Sequence, residues 1–544
     1  MRFLSAGDCA LLVELDDLDQ ALALYRAIGA QSIAGVEECI PAARTVLVRH
    51  DPAAITRARL LAALTDRGRA AAAPAAAASA AQRSVEIPVH YRGDDLAEVA
   101  RLLHLSEREV AARHTGQPWQ AAFAGFAPGF VYLADGDPCF ASIPRRATPR
   151  VQVPAGSVAL AGNLSGVYPH DSPGGWQLIG MTDLAMWDMA RAEPALIQPG
   201  MQVQFVDADA PGGRVNLPPS VAAKAPQKKR VLALPRARQV IEIVQPGLQT
   251  LVQDGGRPGQ AQLGVSASGA LDRSALREAN RLVGNPADAA VLENALGGLT
   301  LRAHGDGVLL AASGASVALS VTAADGRERV ASPAQAIPLA DGDVLKLGHA
   351  SAGVRCYVAA RGGWRVGAVL GSCSTDTLAK IGPPPLRAKA HIAVGDAIAA
   401  RALRKPGQPT EAPRTLPQRG DTVVLDVALG PRTDWFSPDA IDLLTQQPWR
   451  VTPRCDRVGM RLEGLAPLQR ARHDELPSEG TMTGAIQVPA SGQPVLFLAD
   501  HPLTGGYPVI AVVARPHLDL AAQIPIGCNI RFRVIGPFFD QNRD

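Results

Sequence analysis

At 544 residues, with 47% hydrophobic and 19% charged residues and a formal net charge of +3, the sequence is that of an ordinary globular protein long enough for three or four cores. The small charge argues against nucleic acid as a partner, and no run of about 18 apolar residues argues for a membrane span. Seven cysteines stand singly with no Cys-x-x-Cys pair, and Asp8 falls where a signal peptide would be apolar, so a reducing, cytoplasmic setting is expected; a homo-oligomer is left open.

Residues 1–70 read as a small α+β domain. Phe3-Leu4, Ala10 to Leu15 and Thr45 to Arg49 are strand-like, while Leu18 to Ile28 and Ile55 to Leu64 carry helical periodicity. The alanine-rich Ala70 to Ala81 reads as a linker. Residues 85–210 begin with a helical passage, Asp95 to Thr115, in which Ser106 is a cap before Glu109; short strands broken by Gly and Pro follow, the pattern of a barrel or sandwich. Residues 211–238, with KAPQKKR, are a basic linker. Two β-rich sub-domains are expected at 239–400 and 421–544, with helices at Asp272 to Val283 and Pro438 to Gln446 and a divider at Arg401 to Gly420. The fold class is α+β, mainly β.

One stretch occurs twice. Val151 to Ala155 (VQVPA) returns as Ile486 to Ala490 (IQVPA), and each copy runs through an apolar strand into Gly-Gly-aromatic: Gly174-Gly175-Trp176 and Gly505-Gly506-Tyr507. Two distant copies suggest two related modules facing each other, with the glycine turns as walls of one site.

Much familiar machinery is missing: there is no Gly-Lys dipeptide for a P-loop, no Met-Lys-Met, no His-Glu-x-x-His and no Gly-x-Ser-x-Gly. GFAPGF (Gly125 to Phe130) is either a ring-binding turn or a buried aromatic turn. Arg145, Arg146 and Arg150 sit on a proline-stiffened loop suited to an anion. Ser172 to Trp176 can present backbone N–H groups as a nest, and His170 and Asp171 before it are the nearest proton-transfer or metal-binding groups. Further on, QDGGRPG and GVSASGALD form a polar, glycine-rich region in which Asp272 is a helix cap. Cys373 in GSCSTD has no base nearby and reads as a small core residue. Arg457, Arg461 and Glu479 precede the second copy as the arginine loop precedes the first.

GFAPGFVYL, PRRATPRVQVPAGSVALAG and YPHDSPGGWQLIG resemble the B-type subunit of bacterial ATP-dependent 5-oxoprolinase, also called allophanate hydrolase subunit 1 or the sporulation kinase inhibitor family. QDGGRPG, SGALD, GSCSTD, DRVGMRLEG, SEGTMTGAIQVPASGQP and TGGYPVIAVV resemble the C-type subunit, or allophanate hydrolase subunit 2, so the chain looks like B and C fused in order.

The resemblance implies cyclophilin-like β-barrels in both halves. It also implies ATP-driven opening of the 5-oxoproline lactam to glutamate, with Mg2+ and, as a separate protein, the A-type subunit of 5-oxoprolinase. Under it, Arg145, Arg146, Arg150, Gly174 and Gly175 would bind at one end of a composite cleft. Arg457, Arg461, Glu479, Gly505 and Gly506 would serve the other, Trp176 and Tyr507 would be its walls, and His170 and Asp171 would join Arg457 and Glu479 in catalysis. It leaves two alternatives: the carboxyltransferase component of a biotin-dependent urea or amide carboxylase, and a non-enzymatic kinase-inhibitor-like regulator.

Overall fold

A computed structural model describes residues 1–72, 83–146, 148–210, 238–333, 335–408 and 414–542. The linkers read at 70–81 and 211–238 therefore fall, except at their ends, outside the described residues. The protein is mainly β, with 37% strand and 17% helix.

The N-terminal sheet has the order Val36–Pro41, Thr45–His50, Ala10–Glu14, Arg2–Ser5 and then Asp540–Asn542 from the far end of the chain. Its central strands Ala10–Glu14 and Thr45–His50 are rich in apolar residues because both faces of the sheet are covered. Phe3, Leu11, Val13 and Val46 pack in one cluster with Leu24 of the helix Leu18–Ala30 and Leu60 of the helix Arg57–Ala72. Leu4, Leu12 and Leu47 pack instead with Met482, Phe497 and Val512.

The internal repeat marks two barrels of one topology. Each is built from seven strands which, numbered in chain order, neighbour one another as 1-6-4-5-3-2-7, with the first and last parallel. The later barrel, from Thr422–Leu429 to Asn529–Gly536, is closed. The earlier one, from Ser84–Val89 to Gln202–Asp207, is completed by the bridge between His90 and Met181, whose backbone bonds are 2.8 and 2.9 Å.

A shared Gln-Pro-Trp opens the second strand of each. The Trp119 indole donates to the His114 carbonyl at 3.0 Å and that of Trp449 to the Leu444 carbonyl at 2.9 Å, so each buried ring seals the helix before it. Ser106 forms the expected capping box with Glu109, and Ser437 caps the helix Pro438–Gln446.

Between the barrels lie a six-stranded and a five-stranded sheet whose shared core includes Ile241, Leu301, Leu310 and Val358. The amphipathic helix Arg273–Val283 lays Leu276 and Ala279 against Ala311 and Tyr357 of the five-stranded sheet. Asp272 caps it through the Ala275 N–H at 2.9 Å. No helix among the described residues is long and apolar enough to cross a membrane.

Candidate active site at the junction of the sheets

The two glycine turns are held together by one dipeptide. Each ends a two-stranded ladder, Ser172–Gly174 with Arg150–Val153 and Thr504–Gly505 with Glu479–Gly480. The Arg146 N–H donates to the Gly175 carbonyl at 2.7 Å. Arg145 reaches Glu475 at 2.7 Å and Ser478 Oγ at 3.3 Å, lying so close over Gly506 that a Cβ there would strike its guanidinium.

GFAPGF serves the same contact. Thr504 Oγ1 takes the Phe126 N–H at 2.9 Å and lies 3.1 Å from the Tyr132 hydroxyl, and a side chain at Gly125 would collide with it. At both glycines the opposing chain approaches closer than a side chain would allow.

Several of the residues singled out in the sequence have protein partners. Asp95 takes Arg146 at 2.5 Å, both Arg150 NH groups at 2.8 Å and the Leu178 N–H at 2.8 Å. Burial would raise the Asp95 pKa, but Arg150 and the Leu178 N–H hold it below the ordinary carboxylate range. Glu479 is paired with Arg432, which also reaches Glu14 at 2.8 Å and so fastens the later barrel to the N-terminal sheet. Asp171 accepts from the Ala155 N–H at 2.9 Å and from Gln152 at 3.0 Å. Arg461 is exposed on its strand.

The aromatic pair is unequal. Trp176 is buried edge-on to Phe130 and Tyr132, at centroid distances of 5.5 and 5.6 Å, whereas Tyr507 is 38% exposed with Arg470 5.7 Å over its ring. Trp176→Phe is expected to cost about 1–3 kcal/mol and Tyr507→Ala no more than about 0.5 kcal/mol, as measured by thermal unfolding. Equal effects would mean that the burial difference is without consequence.

Arg457 is the centre of the site. All three nitrogens of its guanidinium are engaged, bonding Asp500 twice at 3.0 Å, Glu293 at 2.5 Å and the Gly269 carbonyl at 2.6 Å. Asp500 also accepts from Ser268 Oγ at 2.6 Å and from the Thr377 N–H and Oγ1, each at 2.8 Å. Glu293 takes the Tyr357 hydroxyl at 2.9 Å and the Leu271 N–H at 3.1 Å. Burial and the neighbouring Asp500 raise the Asp376 carboxyl above the ordinary carboxylate range. The motifs SGALD, GSCSTD, DRVGMR and ADHP thus converge on one buried polar core.

That core is a wall between two cavities. One, of about 320 Å³, lies between His170–Pro173, Thr377–Lys380 and Arg457. His170 is half-buried there, and burial, then Lys380, lowers its pKa. The other, of about 310 Å³, lies between the N-terminal sheet, the start of the helix Arg273–Val283 and the later barrel. Ser268, bonded to the wall through Asp500, lines this second cavity.

His501 lines it too, and is the functional candidate that the site residues chosen from sequence omit. The signal was present: ADHP in the second copy stands where YPHD stands in the first. The Pro502 carbonyl lies 2.9 Å from His501 Nδ1; a carbonyl only accepts, so Nδ1 carries the proton and Nε2 is left with its lone pair. Burial pushes the imidazole down to about 4, so it is neutral at physiological pH.

At the same cavity Arg273, Arg277, Arg515 and Arg49 bring positive charge. Arg49 is paired with Glu37 and Glu38, but among the described residues the Arg273 and Arg515 guanidinium groups have no carboxylate within ion-pair distance. Arg273 is exposed at the rim of this cavity, beside the like charges of Arg49 and Arg277. Glu37 and Glu38 bind Arg49, and Asp519 accepts the Arg273 and Ser274 N–H groups at 2.9 and 3.1 Å. With its carboxylates so engaged, this cavity does not fit Mg2+, which needs free oxygen ligands.

This geometry, paired barrels around a central two-sheet body, accords with the family matches. Residues 263–534 match the carboxyltransferase domain, subdomains A and B, and residues 1–197 match subdomains C and D. The chain belongs to the carboxyltransferase-domain family. It is 36% identical over 294 residues to the C-type subunit of the 5-oxoprolinase of Escherichia coli (strain K12), covering 54% of this chain and 90% of that protein. It is 50% identical over 127 residues to the B-type subunit of the 5-oxoprolinase of another Escherichia coli strain, covering 23% of this chain and 58% of that one.

A urea amidolyase of Lachancea kluyveri is 32% identical over 316 residues, 54% of this chain and 17% of its own. The crystallised protein TTHA0988 superposes with a TM-score of 0.78 at 34% identity, over 96% of this chain and 99% of its own. The chain looks like a fusion of the B and C components of 5-oxoprolinase.

Proposed function

We propose that the chain is the B/C component of an ATP-dependent 5-oxoprolinase, opening the 5-oxoproline lactam to glutamate together with a separate A-type subunit. The carrying observation is the second cavity, where the unpaired Arg273 and Arg515 lie beside a neutral His501. 5-Oxoproline is an anion bearing a cyclic amide: its carboxylate suits the arginines, and its reacting carbon suits a pocket with a neutral base. A volume of about 310 Å³ is at the bottom of the roughly 300–1,000 Å³ range of small-molecule sites, enough for this substrate but not for a nucleotide beside it.

Phosphoryl transfer from ATP to the lactam oxygen, releasing ADP, makes the carbon electrophilic; water adds to it as His501 Nε2 takes its proton, the C–N bond breaks as that proton passes to the leaving nitrogen, and the acyl phosphate so formed is hydrolysed to glutamate and phosphate. The purified chain with the A-type partner should hydrolyse ATP only when 5-oxoproline is present; ATP turnover indifferent to 5-oxoproline would overturn the reading. Arg273→Ala should raise KM for 5-oxoproline by about tenfold or more, since a hydrogen bond to a charged group is worth about 1.5–3 kcal/mol. An unchanged KM would place the carboxylate elsewhere.

A second reading has support in the urea amidolyase match: carboxyl transfer from a separate biotinylated carrier to urea or a related amide. Urea is neutral and gives Arg273 and Arg515 nothing to bind. Carboxylation of urea in the presence of a carboxylated carrier would favour this reading.

A further inference from the structure

The central six-stranded sheet carries a second cluster of chemically active side chains, remote in sequence from every motif of the cavities. On three neighbouring strands, Leu299–Gly305, Gln239–Pro246 and His391–Ala393, the side chains of His304, Glu242 and His391 bring one ligand atom each to within 4.8 Å of one another. The register explains why they meet. Glu242 pairs directly with His391, while His304 pairs with Val240, two residues from Glu242 and therefore on the same face. Ile241, Ile243, Leu301 and Ala303 alternate with them and fill the core, so the face bearing the histidines is the outward one.

We infer that Glu242, His304 and His391 form a binding site for a divalent transition cation of the zinc class, which clasps the short strand His391–Ala393 to the sheet. Two imidazoles and one carboxylate are a donor set that zinc accepts, with a further position left for water.

The local bonds prepare the ligands. His391 Nδ1 lies 3.0 Å from the Lys389 carbonyl and so carries its proton, which turns Nε2 outward as a free donor atom. Glu242 Oε2 already lies 2.9 Å from His304 Nε2. A bound cation would replace that proton-mediated contact; the ring centroids of the two imidazoles lie 6.0 Å apart, with His304 half-buried and His391 exposed.

Arg302 opposes the cation, because its guanidinium stands 3.3 Å from the same Glu242 oxygen. Its side chain is 42% exposed and can turn to solvent when a metal takes the carboxylate.

The test is a Zn2+ titration of the full chain in competition with a chromophoric chelator, repeated with His391→Ala, His304→Ala and Glu242→Gln. The expected result is one tight equivalent in the parent chain, weakened in each variant by more than about tenfold, the least that loss of even an outer-shell partner costs at such sites. Zn2+ should also raise the melting temperature of the parent chain and not of His391→Ala. Undiminished binding in all three variants would assign the metal to other groups, such as the seven free cysteines, and overturn the inference. So would a parent chain that takes up no Zn2+, or an equal thermal shift in parent and His391→Ala.

Discussion

Replacing Arg457 with methionine is expected to lower the stability of the protein by about 3–5 kcal/mol, the cost of removing one partner from a buried ion pair. The methionine fills a similar volume, so the loss is electrostatic rather than a cavity. Asp500 and Glu293 would remain buried as anions, deprived of the guanidinium bonds at 3.0 and 2.5 Å that neutralise them. Four motifs meet at this residue, and its loss should also loosen the wall between the two cavities.

The measurement is the apparent melting temperature, followed by the double variant Arg457→Met with Asp500→Asn, which removes a stranded charge and should recover part of the loss. A single variant as stable as the parent, or a double variant whose losses simply add, would show that the network is not coupled. Because the chain contains several cores, the transition is compared between variants rather than converted to an absolute free energy.

His501→Ala is expected to lower kcat by about 10²–10⁴-fold, the usual contribution of a positioned general base, with a much smaller change in KM. The KM is assigned to the arginines at the mouth of the same cavity, so the two variants separate binding from proton transfer. A fall in KM-linked affinity without a fall in kcat would make His501 a packing residue.

The pH dependence follows from burial. His501 is pushed down to about 4 and His114, which lies between Tyr91 and Ser165, to about 3. An unfolded histidine protonates near 6.5, so below that pH the unfolded chain binds more protons than the folded one. Stability should therefore decline as pH falls from about 6.5 through 4, while the proton-accepting form of His501 persists across most of that window.

The local features of the fold were legible in the sequence because they depend on neighbours in the chain. Ser106 and Glu109 are three residues apart and form their capping box; Asp272 caps the helix it precedes; the apolar runs of the N-terminal strands predict burial. The repeat was legible for the same reason. Its two Val-Pro-Ala stretches, and the Gln-Pro-Trp that accompanies them, lie in two barrels of one strand order. That the two copies touch through Arg145 and Gly506 accords with glycine turns that face each other.

The choice of charged partners was not legible. Arginines on a stiff loop suggest an anionic guest, but Arg146 and Arg150 find theirs in Asp95, 51 and 55 residues earlier. Glu479 finds Arg432, 47 residues away, and Arg457 finds Glu293, 164 residues away. Nothing in the spacing of a motif says which distant carboxylate will be brought to it. His501 was hidden for a related reason: in sequence it is one histidine beside an aspartate, and only burial makes it a neutral base with a free Nε2.

The sequence by itself determined the α+β, mainly β class, the duplicated stretch and the order of the motifs, because periodicity, caps and repeats are written in adjacent residues, while a barrel in each half was implied by the family resemblance. The tertiary structure decided which of those charged residues neutralise one another and which remain unpaired at a cavity. Coulombic pairing depends on distance in space, and the chain sets that distance only when it folds.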